Sequence, residues 1–140
     1  MAKSRDRLIY LALAAATIGV GLGVHLGGWG LSFVLRDVLG DALWAAMVFW
    51  WAGALAPRAG VGARALGAVV FSYSIELSQL WHTPALDALR RTTVGHLVLG
   101  SGFDVRDLVA YAGGVGAAAL VDRGIVRRLV RGRSGAGPSP

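Results

Sequence analysis

The sequence contains no cysteine. That excludes disulfide frameworks, thiolate zinc sites and thiol nucleophiles. It is also poor in charge, with 16% of residues charged against about 25% in an ordinary soluble domain. Proline is scarce, at four residues, so long helices can run unbroken. Apolar residues make up 55% of the 140 positions and mean hydropathy is +0.58. A disordered chain is excluded and a soluble one strongly disfavoured. The length suits one structural unit.

Four stretches carry the hydrophobicity. Leu8 to Val24 and Ala42 to Ala56 are uncharged, and the second stops at Pro57. Ala65 to Trp81 is broken only by Glu76, and Leu108 to Val121 is the shortest. A bilayer core takes about 20 helical residues. The expected fold is therefore all-α: a polytopic membrane protein with helices near 6–25, 40–57, 61–82 and 104–122, joined on one side by short interfacial helices. Residues 1–122 form the membrane domain and 123–140 a basic, partly disordered cytoplasmic tail.

Ten of the fourteen basic residues flank one side of these spans, from Lys3 to Arg133, and four the other: Arg36, Arg90, Arg91 and Arg106. By the positive-inside rule both termini are cytoplasmic, in a multi-pass inner-membrane protein. Asp37, Asp41, Glu76, Asp87, Asp104 and Asp107 fall to the outer half. The net charge of +6 is thus a topology signal, and a nucleic-acid partner is not expected. Membrane lipids are, with a homo-oligomer or partner subunit open.

Asp41, Asp104 and Asp107 fall in the first turns of the second and fourth spans, where carboxylates cap helices. Thr83-Pro84 reads as an N-cap with proline at the first helical position. Glu76 has no such account, because an acid near a helix C-terminus opposes the dipole. Ser72, Glu76, Gln79 and His82 form one helical stripe, and Asp104, Asp107 and Tyr111 another. Their convergence would make an outward-facing polar site, with Arg90 brought back by the Thr83-Pro84 turn to neutralise Glu76. The Ala112/Gly116 and Gly19/Gly23 pairs suit close helix packing. Trp29 and Trp81 suit an interfacial belt, and Trp44, Trp50 and Trp51 a lipid or partner surface.

The segments GDALWAAMVFWW and FSYSIELSQLWHTPALDALRRTTVGHLVLGSGFDVRDLVAYAGG closely resemble the bacterial membrane family called domain of unknown function 2809, and more distantly the VanZ family. The specific parts are Asp41, the Glu76–Gln79 pair, Asp87 with Arg90, and Asp107 to Tyr111. The VanZ pattern's final-helix Asn and Pro-Gly-Arg loop are missing, so its glycopeptide association does not transfer. The ligand-binding candidates are Asp41, Ser72, Glu76, Gln79, Asp87, Arg90, Asp107 and Tyr111, with no metal or cofactor expected. The leading function is recognition of a polar or charged headgroup of an envelope amphiphile. The alternatives are an enzyme using Glu76 or Asp107 as general acid/base, for which the sequence decides nothing, and a small transporter or assembly subunit.

Overall fold

The computed structural model describes residues 2–27, 30–100 and 102–126. Its elements run α1 (Ala2–Leu26), α2 (Phe33–Leu55), α3 (Val61–Ser78), α4 (Pro84–Arg90), α5 (Thr93–Leu99) and α6 (Val105–Val121), then a π-helical turn, Asp122–Val126. No strand occurs among the described residues. The all-α expectation holds. Of the tail assigned to 123–140, residues 127–140 lie outside the described ones, as does Trp29.

Among the described residues, two stretches are long and apolar enough to cross a membrane, Asp6–Leu26 and Phe33–Leu55. The sequence suggested four. α3 and α6 are shorter, at 18 and 17 residues, and α3 carries Arg64 and Glu76.

Helix α2 begins seven residues before the expected start at 40. Ser32 accepts a hydrogen bond from the Leu35 amide and caps it there, and nothing between Ser32 and Pro57 breaks the ladder. The pre-proline residue Ala56 then closes the helix in a non-helical conformation. Helix α3 ends at Ser78 rather than 82, in a tight turn whose amides reach back three residues, Gln79 to Glu76 and Trp81 to Ser78. Thr83 caps α4 through the Leu86 amide, with Pro84 in the first helical position as the sequence indicated.

Helix α2 is the hub, packing on α1, α6 and α3, while α6 also packs on α3. Its buried residues are Ala45, Phe49, Trp50, Gly53 and Ala54. Trp50 is therefore core rather than lipid-facing: it stacks on Tyr10 and meets Phe49 edge-on. Trp44 packs against Phe71 and Tyr111, and of the three α2 tryptophans Trp51 alone keeps substantial exposure, at 44%.

The α2–α6 seam turns on Gly114. A Cβ there would collide with the Ala42 carbonyl, so only glycine permits that approach. Ala110 and Ala118, one turn to either side, are also buried. The expected small-residue faces are different ones. Ala112 and Gly116 are exposed, and a Cβ on Gly116 or Gly19 would meet nothing within 4 Å.

Polarity is inverted relative to a water-soluble bundle. Arg64, Ser72, Glu76, Gln79, Arg90 and Asp122 are buried, whereas Leu66, Val70, Phe71, Val109 and Leu120 are exposed. In water that arrangement would cost twice, through desolvated charge and hydrated hydrocarbon.

Candidate functional site

Helices α3 and α6 meet at Glu76, which is fully buried. Glu76 Oε1 accepts the Asp104 amide at 2.7 Å. Oε2 accepts the Gln79 side-chain amide and the Tyr111 hydroxyl, both at 3.0 Å. The two polar stripes do converge, and this is the contact between them. Three donors fill a site that the helix dipole disfavours for an acid. Tyr73 adds a second tie from α3, donating to the Leu108 carbonyl at 3.0 Å.

Gln79 is pressed against Gly100, which closes α5 at φ +64°. That left-handed conformation is inexpensive only for glycine, and a side chain there would also strike the Gln79 amide. Ser72, one turn below Glu76, is fully buried with a hydroxyl that meets no hydrogen-bond partner among the described residues.

Arg90 does not neutralise Glu76. Its guanidinium donates to the Ser78 carbonyl at 2.7 Å, the Trp81 carbonyl at 2.8 Å and the Asp87 carboxylate at 3.3 Å. Because α3 stops at Ser78, its last carbonyls accept only the amides of the tight turn that follows, and a buried arginine on α4 adds a second donor to Ser78 and supplies one to Trp81. Asp87 also meets His82 Nδ1 at 3.2 Å. Asp87 and Arg90 thus tie α4 to the end of α3, apart from the Glu76 network.

The acids divide by role. Asp104 is the N-cap of α6, accepting the Arg106 amide at 2.8 Å. That backbone bond, followed by the Arg106 side chain, holds its carboxyl below the usual carboxylate range. Asp41 is no cap, because the early start of α2 puts it two turns inside the helix. Asp37 precedes it by one turn, and Asp107 comes across from the first turn of α6. One carboxylate oxygen from each of these three lies within 4.8 Å of the others. Asp37 is exposed and the other two are half-buried. Asp41 and Asp107 face each other carboxyl to carboxyl. Three acids at such separations repel unless a proton or a cation lies between them. The trio can hold an ammonium group or a metal ion through oxygen ligands.

Asp37 was absent from the sequence-derived candidates. Its i, i+4 relation to Asp41 was visible, but only if one helix carries both.

A second polar cluster closes the opposite end of the bundle. Arg64 of α3 pairs with Asp122 at 2.7 Å, and the Tyr10 hydroxyl donates to Asp122 at 2.8 Å. The guanidinium lies 4.9 Å above the Tyr10 ring and 5.4 Å from the Phe49 ring centroid. All three polar residues are almost wholly buried. Sequence reasoning counted Arg64 and Asp122 only as flanking charges. The cluster is a structural tie joining α1, α3 and the turn after α6.

The model of a family described as "Protein of unknown function (DUF2809)" matches residues 31–115, more than half of the chain. The match contains the acid trio and the whole Glu76 network but neither Tyr10 nor Asp122. No solved structure matches.

Proposed function

Since the chain belongs to the DUF2809 family, whose description assigns no activity, we propose a function from its own geometry: a polytopic inner-membrane protein that binds the positively charged end of an amphiphile at Asp37, Asp41 and Asp107. In this reading α1, α2, α3 and α6 all cross, both termini are cytoplasmic, and the acid trio opens to the outer face. The observation that carries it is three carboxylates gathered within 4.8 Å in a bundle whose exterior is hydrocarbon. A cationic headgroup relieves their repulsion, while its tail matches the apolar surroundings. Both oxygens of Glu76 are already engaged. That favours Glu76 as a support for the site over a general acid or base, which needs a free lone pair or proton facing substrate.

The test is binding of dodecyltrimethylammonium and dodecyl sulfate to the full chain in lipid nanodiscs. The ammonium amphiphile is expected to bind and to be lost in Asp41→Asn/Asp107→Asn, while the sulfate is not bound. Equal binding of both amphiphiles, or ammonium binding indifferent to the double substitution, would overturn the reading.

A further inference from the structure

The α2–α6 seam carries a groove of about 440 Å³, lined by Val38 and Ala42 of α2 and by Arg106, Val109, Ala110 and Gly113 of α6. Arg106 is the charged group among these. Val109 is 72% exposed, and a Cβ on Gly113 would meet nothing within 4 Å, so the groove has room along its length. Along α2, Val38 and Ala42 directly follow Asp37 and Asp41. Along α6, Ala110 lies about one turn after Asp107. The apolar channel therefore runs along the same stretch of the two helices that carries the acid trio.

The charged end has a particular make-up. Arg106 is 71% exposed and pairs with Asp104, NH2 to Oδ2 at 2.9 Å and Nε to Oδ2 at 3.1 Å. Asp104 is itself partly exposed, and Asp37, Asp41 and Asp107 belong to the same end of the seam. One exposed cation thus stands beside several acids. A purely anionic headgroup would bring negative charge to an acid-rich rim. A quaternary ammonium is drawn to the carboxylates by charge alone, whereas a primary ammonium adds N–H donors to that attraction. A group with a phosphate and a primary ammonium a few bonds apart matches both: phosphate to the guanidinium N–H groups that Asp104 does not engage, ammonium to the carboxylates.

We propose that this groove holds an acyl chain of a zwitterionic, primary-amine phospholipid of the phosphatidylethanolamine type, with its phosphate on Arg106 and its ammonium on Asp104 and the adjacent acid trio. The assignment rests on the headgroup reading above and names its ligand. It adds a requirement for Arg106 and for an open groove at Gly113, which that reading does not need.

The experiment incubates the full-length protein with equimolar dioleoyl phosphatidylethanolamine, phosphatidylglycerol and phosphatidylcholine. Retained lipid is then quantified by mass spectrometry after detergent washing. The wild type should enrich the ethanolamine lipid roughly two- to fivefold, as exposed charge contacts of this kind supply. Arg106→Gln should erase that preference. Gly113→Leu, which places a side chain in open space, should abolish retention without lowering the melting temperature.

Equal retention of the three lipids, preference for phosphatidylglycerol, or retention unaffected by Gly113→Leu would overturn the proposal. So would a concentration-dependent dimer that excludes lipid from the groove, because a second copy would then be the occupant. Should dodecyltrimethylammonium still bind in the Asp41- and Asp107-dependent manner while these lipid results fail, the lipid assignment alone falls. Should both fail, the acid site falls with it.

Discussion

Tyr111 on α6 donates its hydroxyl to Glu76 on α3 at 3.0 Å, and both residues are buried. Together with the Asp104 amide on Glu76 and the Tyr73 bond to the Leu108 carbonyl, this contact across 35 positions fixes the register of two helices that each carry a polar stripe. A glutamate with three donors aimed at it is an organising acceptor, and the seam is arranged around it.

Replacing that acceptor should be far worse than removing one donor. Tyr111→Phe leaves Glu76 with two donors and should cost roughly 1–3 kcal/mol. Glu76→Ala strands the Asp104 amide, the Gln79 side chain and the Tyr111 hydroxyl together, and should cost about 3 kcal/mol or more. Denaturant unfolding in mixed micelles measures both. The double substitution should fall well short of the sum, and strict additivity would remove the bond from the account.

Arg90 acts on backbone rather than on Glu76. Arg90→Gln should destabilise the end of α3 by about 1–3 kcal/mol, because the Trp81 carbonyl loses its donor and the Ser78 carbonyl keeps only the Trp81 amide. Combined with Glu76→Gln its effect should add within about 0.5 kcal/mol, as for groups without a shared bond. A coupling larger than that in the double-mutant cycle would restore the Glu76–Arg90 pair.

The two glycine faces of α6 should respond in opposite ways. Gly114→Val drives a branched side chain into the Ala42 carbonyl and should cost at least about 1–3 kcal/mol by forcing α2 and α6 apart. Gly116→Ala faces open space and should be neutral, or more stable by up to about 1 kcal/mol because alanine suits a helix interior better. The comparison needs only melting temperatures of the two purified variants in one detergent.

Topology can be read chemically, because the native chain supplies no thiol. A cysteine at Ser134 should resist an impermeant maleimide in intact cells, and one at Thr92 should react. The reverse labelling would invert the proposed orientation and put the acid trio on the cytoplasmic side.

How much of this was legible in the sequence depended on what kind of acceptor each side chain uses. Glu76, Gln79 and Tyr111 could be found because side-chain partners on two helices obey helical spacing, and an acid in an apolar run has to be satisfied. Charge invites pairing Arg90 with Glu76, but its shortest bonds go to backbone carbonyls, which carry no residue-specific signal, and its carboxylate partner is Asp87 on its own helix. Asp41 was taken for a cap because the apolar run begins at Ala42. The helix itself begins nine residues earlier, at Phe33 behind the Ser32 cap, beyond an arginine, an aspartate and a glycine that helices tolerate on an outer turn. Arg64 and Asp122 were counted as boundary charges because only the tertiary fold brings together residues 58 positions apart.

That last separation has a bearing on how the chain is made. During synthesis Arg64 emerges well before Asp122, and until the final helix arrives its buried position offers no carboxylate. A buried charge left without its partner costs several kcal/mol, so α3 gains its full share of stability only when the last turn is in place. A chain truncated before residue 122 would therefore leave Arg64 without this carboxylate and weaken α3 as well as the end of α6.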